Sequence, residues 1–259
     1  MTPLARELPL ISCIMPTTGK RKRFVEQSIK LFNAQDYPNK ELIIIDEPDY
    51  YGNSVFEFFQ AQSNIEYVYI ETLGTDVPLT VGAKRNLACS LARGDIICLW
   101  DDDDWHGPHR LSHQAQPIID YEADITGFPL DIVLNAREGT AWRASSTLSQ
   151  EIFTSGVVTG AVMFRKRLWG WMASFPSTSM GEDADFLRIA CGQNATLVPI
   201  VNKGDFIYVR HEAINLWPLP PTPYLHMDEW QQVDINQYIP EEDQVFYKQF
   251  LSCQQDVLT

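Results

Sequence analysis

Residues 95–104 read Asp95-Ile96-Ile97-Cys98-Leu99-Trp100-Asp101-Asp102-Asp103-Asp104. A short apolar run closed by four adjacent carboxylates is a buried strand that ends in an acidic turn. Just upstream, Val81 to Ala92 carries Ala83, Leu87, Ala88 and Leu91 at helical spacing, and Gly94 punctuates it. Helix followed by apolar strand is the repeating unit of a parallel sheet covered on both faces.

The same alternation runs back to the start of the chain. Leu10 to Met15 is a strand stopped by Pro16, and Phe24 to Ala34 is a helix. Glu41 to Ile45 is a strand closed by Asp46-Glu47-Pro48, Val55 to Gln62 a helix, and Ile65 to Ile70 a strand. Ligands of such sheets sit beyond the C-terminal strand ends. Three polar clusters fall at such ends: Pro16-Thr17-Thr18, Asp46-Glu47 and Asp101 to Asp104. Their convergence on one crevice is the first functional expectation.

After Tyr121 the pattern changes. Ile125 to Leu134 and Val157 to Phe164 read as strands around a polar, variable stretch, Asn135 to Gln150. Gly181 to Cys191 reads as a helix, and Thr196 to Val201 and Phe206 to Val209 as strands. A proline-rich tail follows from Pro218, with helices expected over Met227 to Gln237 and Glu241 to Gln254. The division is a main domain over 1–217 and a helical extension over 218–259 packed on it. No internal repeat is seen.

Composition narrows the classes. The 259 residues are 45% hydrophobic and 21% charged, as in a globular chain with one sizeable core. Net charge is −14, the opposite of what a binder of bare nucleic acid carries. No run is apolar enough to span a membrane, and Met1 to Pro9 lacks the pattern of a signal peptide. Cys13, Cys89, Cys98, Cys191 and Cys253 form no CxxC pair and read as reduced thiols of a cytoplasmic protein. There is no GxxxxGK[ST], no GxGxxG after the first strand, no GxSxG and no HExxH. Kinase, P-loop, dinucleotide and α/β-hydrolase readings therefore lose their main support.

Four groups of residues could carry chemistry. Asp101 to Asp104 repel one another unless a cation is present, and carboxylate oxygens suit Mg²⁺ or Mn²⁺; a solvated acidic turn is the alternative. Gly181-Glu182-Asp183-Ala184-Asp185 opens a helix, where acids either favour the helix dipole or supply a general base. His211 ends a strand and is either structural or a metal ligand. His106, His109 and His113 lie on one helical face, and with the aspartates they sketch a polynuclear metal hydrolase.

The ordered set resembles the family 2 glycosyltransferases, whose nucleotide-sugar-binding fold is called GT-A. Leu10 to Thr18 is similar to that family's first strand and Pro-Thr turn, and Glu41 to Glu47 to its second strand and acidic pair. Gly82 to Ala88 resembles its Gly-x-x-x-Arg-Asn helix. Leu99 to Trp105, with Pro108 and Arg110-Leu111, resembles its DxD segment. Gly160 to Arg165 is similar to the strand before the acceptor side, Glu182-Asp183 to the catalytic pair, and Val209-Arg210-His211 with Asn215 and Trp217 to the late His motif. The likeness covers residues 9 to 217.

The resemblance implies a Rossmann-like, mixed but mainly parallel sheet flanked by helices. It implies transfer of a sugar, with inversion, from a nucleotide-sugar donor (UDP-linked being the commonest) to a hydroxyl acceptor. Pro16, Thr17, Thr18, Asp46, Glu47, Arg85 and Asp102 would meet the donor. Asp101, Asp103 and His211 would serve Mn²⁺ or Mg²⁺, with Asp103 the direct ligand. Asp183 would be the base beside Glu182. Glu47 departs from the family's second aspartate. A register shift within Asp101–Asp104, the hydrolase, and a non-catalytic nucleotide-sugar-binding module stay open at this level. Trp169, Trp171, Trp217 and Trp230 either line an acceptor groove or pack in the core.

Overall fold

A computed structural model of the chain describes residues 7–18, 21–47, 64–70, 78–152, 156–211 and 230–252. In chain order the elements are β1 (Ile11–Pro16), α1 (Lys22–Asn33), β2 (Lys40–Asp46), β3 (Ile65–Tyr69), α2 (Val81–Leu91) and β4 (Ile96–Leu99). Then come β5 (Trp105–His106), α3 (Arg110–Ile119), β6 (Ile125–Gly127), β7 (Ile132–Asn135), β8 (Thr140–Ala144) and α4 (Ser146–Ile152). The last are β9 (Met163–Arg165), α5 (Glu182–Gly192), β10 (Leu197–Pro199), β11 (Phe206–Arg210), β12 (Trp230–Val233) and α6 (Glu241–Ser252).

Seven strands form the main sheet in the order β10-β6-β9-β4-β1-β2-β3. The β4-β1-β2-β3 half is parallel throughout, and β9 runs antiparallel between β4 and β6. Alternate side chains of these strands enter two different cores. Ile11, Cys13 and Met15 pack with Val25 and Phe32 of α1 and Leu111 of α3, whereas Ile14, Ile43 and Ile97 pack with Ala88 of α2 and Phe186 of α5. Burial on both faces is why these strands read as continuous apolar runs. Each buried Ile or Leu contributes about 1.5–3 kcal/mol, so the register is strongly specified. That register positions the site. Ile14 lies opposite Leu99, which brings Thr17 beside the acidic turn, and Leu99 N–H donates to Val162 O, which brings residues 159–161 to its other side.

A second, five-stranded sheet has the order β12-β8-β7-β11-β5. It corrects several expectations. Ile125 to Leu134 is two strands in two sheets, because Pro129 has no N–H for a ladder. The stretch Asn135 to Gln150 is a β7–β8 hairpin leading into α4. Val157 to Phe164 holds a 3-10 turn at Thr159–Ala161 before β9 begins. Within the helix expected over Met227 to Gln237, the described part is β12 paired antiparallel with β8, then a 3-10 turn at Ile235–Gln237. The Val55 to Gln62 helix and residues 212–229, with Asn215 and Trp217, lie outside the described residues.

α6 forms as expected and lies against α1: Asp243 accepts from Gln27, Lys30 and the Trp105 indole, and Phe250 stacks on Phe24. Cys13, Cys89, Cys98 and Cys191 are free thiols. Among the described residues no helix is long and apolar enough to cross a membrane.

Candidate active site

At the C-terminal ends of β1 and β4 a cavity of about 690 Å³ opens. Its volume is that of a small-molecule site. Six carboxylates line it, Asp101 to Asp104, Glu182 and Asp183, and four cations face them, Arg21, Lys84, Arg85 and Arg210. Pro16, Thr17, Thr18, Thr159, Gly160, Met180 and Tyr208 complete much of the wall.

The acidic turn is held from behind by buried groups. Arg110, fully buried, donates to Leu99 O at 2.8 Å and to His106 Nδ1 at 2.5 Å. His106 Nε2 then donates to Asp101 O at 3.1 Å. Burial and the Arg110 charge hold the His106 imidazole well below its ordinary range, so it is neutral. Val209 N–H donates to Asp104 Oδ1 at 2.9 Å, and burial, with Asp103 and Asp101 adjacent, pushes Asp104 well up.

In front, the turn meets cations. Thr17 Oγ1 donates to Asp102 Oδ2 at 2.6 Å. Arg21 spans two carboxylates, at 2.5 Å from Asp102 Oδ1 and 2.9 Å from Asp103 Oδ2. Burial raises Asp102 to about 6 against the Arg21 charge. Asp103 is also buried, but Arg21 and the His211 ring outweigh that and hold it well below the carboxylate range. His211 Nε2 donates to Asp103 Oδ2 at 3.2 Å, and the ring packs on Phe24 with centroids 4.1 Å apart.

On the far side, α2 and α5 bring Arg85 to the acids. Arg85 reaches Asp101 Oδ1 at 2.9 Å, Glu182 Oε1 at 3.6 Å and Asp183 Oδ2 at 3.9 Å. Burial raises the Asp101 and Glu182 pKa values in spite of it. Asp183 Oδ2 accepts from Thr159 Oγ1 at 2.8 Å, and its Oδ1 accepts from Ala184 N–H at 2.7 Å. Gly160 separates the two acids: a methyl there would stand 2.9 Å from Asp101 Oδ2 and 3.6 Å from Asp183 Oδ2.

Pro16, Thr17, Thr18, Arg85, Asp101, Asp102, Asp103, Glu182 and Asp183 thus share one cavity, with His211 touching Asp103 at its edge. Asp46 and Glu47 do not line it. Asp46 accepts from the Tyr67 hydroxyl, and Glu47 accepts Leu79 N–H at 3.0 Å and pairs with Lys84 at 3.1 Å. The histidine series does not assemble. His106 is buried behind the turn, His109 pairs with Asp36 and His113 with Asp205, so the hydrolase built on it loses its ligands. Trp171 is 87% exposed, Trp169 bonds Asn86 and Trp230 is buried; none of the three lines the cavity.

Sequence reasoning passed over Arg21, Lys84, Thr159, Tyr208 and Arg210. The run Lys20-Arg21-Lys22-Arg23 at a helix start was a usable signal. Arg210, stacked on Tyr208 at 3.3 Å, had none beyond its place next to His211; burial lowers it to about 10.

The donor chemistry suits Mn²⁺ or Mg²⁺: one carboxylate oxygen and one imidazole nitrogen. Asp103 Oδ2 and His211 Nε2 stand 3.2 Å apart, and an ion held by both would take the place of the hydrogen they share. The buried His211 Nδ1 has no hydrogen-bond partner among the described residues. No three metal-ligating side chains converge among the described residues. Two suffice for an ion whose other ligands are waters and phosphate oxygens.

A parallel β-α half, an antiparallel β9, an acidic turn after β4 and an acid pair opening α5 make up a GT-A fold. The chain belongs to glycosyl transferase family 2, whose family model matches residues 12–154. It is 36% identical over 104 residues to WcaA of Escherichia coli (strain K12), a protein named as a glycosyl transferase of colanic acid biosynthesis. That match covers 40% of this chain and 36% of the relative. The crystal structure of S. aureus TarS 1–349 aligns with TM-score 0.58 at 21% identity, over 77% of this chain and 60% of that one. The mannosyltransferase PcManGT from Pyrobaculum calidifontis, solved with GDP-Man and Mn²⁺, aligns with TM-score 0.58 at 14% identity, over 81% and 59%. The chain therefore spans about a third of its curated relative, 36%, and about three-fifths of these solved structures, 60% and 59%.

Proposed function

We propose that the chain moves a sugar, with inversion, from a nucleoside-diphosphate donor to an acceptor hydroxyl, with Asp183 as general base. The observation that carries this reading is the convergence of Asp101 and Asp183 on one guanidinium, Arg85, across the gap left by Gly160. An acid fixed by Thr159 Oγ1 and Ala184 N–H at a cavity wall is oriented to take a proton from an attacking hydroxyl. Attack from the side opposite the leaving diphosphate inverts the anomeric centre. Glu182, beside the base, shares the Arg85 charge and keeps that guanidinium turned toward the acids.

Pro16, Thr17 and Thr18 form the donor end of the wall in this reading. Arg85 serves the donor too: its buried Nε and NH1 have no hydrogen-bond acceptor among the described residues. Asp46 and Glu47 act indirectly, through Tyr67 and Lys84. Asp103 and His211 would hold Mn²⁺ or Mg²⁺, with Asp101 facing it; the ion would supply positive charge to the departing diphosphate. TarS solved with UDP-GlcNAc and PcManGT solved with GDP-Man and Mn²⁺ support donor and ion alike. UDP is the first donor nucleotide to test. The described part of the expected extension, residues 230–252, supports one unit with residues 1–217, since Asp243 and Phe250 of α6 contact α1 directly.

The test is calorimetry with UDP, with and without Mn²⁺, beside product analysis with UDP-sugars and acceptors. Mn²⁺-dependent UDP binding that Asp103→Ala abolishes, and sugar joined to an acceptor, are expected. UDP binding indifferent to Mn²⁺ and to Asp103→Ala would refute the metal role, and free sugar as the sole product would refute transfer.

A further inference from the structure

The cation at the acidic turn is a side chain of the chain itself. Arg21 forks across Asp102 Oδ1 at 2.5 Å and Asp103 Oδ2 at 2.9 Å. Asp103 Oδ2 also accepts from His211 Nε2 at 3.2 Å, so both lone pairs of the oxygen expected to bind a metal are engaged. A divalent ion bonded to that oxygen would stand within a few ångströms of the guanidinium, where two positive charges repel.

The placement of Arg21 runs against local helix physics. It is the N-cap of α1, makes no side-chain capping bond, and the first turn of α1 contains no acid. Arg21, Lys22 and Arg23 instead gather positive charge at the positive end of the helix dipole. Asp102 and Asp103, from a strand end 81 and 82 residues away, supply the missing anions. The Arg21 side chain is one-third exposed and lines the cavity, so it can leave this fork without unfolding the core.

We propose that Arg21 is an exchangeable counter-ion. In the empty enzyme it occupies Asp102 and Asp103 and suppresses binding of the divalent ion. When the donor arrives, its diphosphate becomes the new anion for Arg21 and frees Asp103 for the metal. Metal and nucleotide then bind with strong mutual cooperativity, and reciprocity makes each raise the affinity of the other by the same factor. This inference rests on the metal role of Asp103 given above.

Mn²⁺ binding followed by electron paramagnetic resonance, without turnover, tests it. Without nucleotide, Arg21→Gln should bind Mn²⁺ at least about tenfold more tightly than the unaltered chain, a gain of about 1.4 kcal/mol. Saturating UDP should then raise Mn²⁺ affinity far more in the unaltered chain than in Arg21→Gln. Arg21→Lys keeps the charge but cannot span two carboxylates, and serves as the milder variant; an intermediate tightening is expected. Asp103→Asn should lose the Mn²⁺ site in either background. If Mn²⁺ binds through Asp103 and neither Arg21 variant tightens it, the counter-ion role is wrong. If Mn²⁺ binding survives Asp103→Asn unchanged, the metal role of Asp103 is wrong instead.

Discussion

Asp101 and Asp183, 82 residues apart in sequence, face each other across Gly160 and share the Arg85 guanidinium, at 2.9 Å and 3.9 Å. One follows β4 and the other opens α5, so both acids are set by rigid elements. If Asp183 is the base, Asp183→Asn should keep UDP-sugar affinity within about threefold, because the proton transfer belongs to the transition state. Its kcat should fall by about 10²–10⁴. Calorimetry and turnover on the same preparation check this; unchanged turnover removes Asp183 from the role.

Gly160→Ala tests whether the gap between the acids is used. The new methyl would meet Asp101 Oδ2 at 2.9 Å, and a carboxylate tip can rotate away. Stability should change by about 1 kcal/mol or less. The displaced carboxylate should nevertheless lower kcat/KM by about tenfold or more. Chemical denaturation and steady-state kinetics separate the two effects.

Gly82→Ala should act in the opposite proportion. A methyl there would lie 1.8 Å from Pro176 O, a backbone atom, and Gly82 N–H already donates to Thr178 O at 3.0 Å. Backbone cannot rotate aside, so a loss of about 3 kcal/mol is expected in urea denaturation. Because residues 176–181 lead into Glu182 and Asp183, whatever folds should also turn over slowly.

Arg85→Met removes the cation shared by Asp101, Glu182 and Asp183. Unpaired, partly buried acids cost about 3–5 kcal/mol, to be read from the shift in unfolding midpoint. Arg85→Lys should recover part of the stability but not the two-pronged contact. Equal stability of Arg85→Met and the unaltered chain would mean that the acids are neutral in the folded state.

Away from the site, Glu41 should set part of the acid stability. It is buried, which raises its pKa, but Ser12 Oγ and the Arg93 backbone and side chain outweigh this and lower it below its ordinary 4.5. A lowered carboxylate stabilises the fold fully above the unfolded value of about 4.5, and the contribution disappears as pH falls through the folded value. Glu41→Gln should therefore be less stable by about 1–3 kcal/mol at neutral pH. It should also show a flatter loss of stability below pH 4.5, measured by denaturation at a series of pH values.

How much was legible in advance differs by element. The parallel half was legible because strands buried on both faces must be apolar at every position, as Leu42 to Ile45 and Ile96 to Leu99 are. The crevice followed from topology, and Thr17, Asp101 to Asp103 and Asp183 reach it. Other residues meet partners on which local pattern is silent. Glu47 sits at a strand end like Thr17 does, but Lys84 and Leu79 N–H claim it. His106, His109 and His113 share a spacing, but His106 lies in a strand and the other two take acids from distant segments. Trp230 to Val233 has no strand signature of its own and becomes a strand by pairing with β8.

The sequence by itself determined the parallel half of the main sheet, which acids follow its strands and which family the motifs resemble, because periodicity and strand-end chemistry are local properties. Only the tertiary structure decided which charge meets which. Arg21 with Asp103, Arg85 with Asp183 and Asp104 with Val209 N–H are contacts between segments brought together by strand register and helix packing. The strength of such contacts depends on distance and burial, which no local pattern encodes.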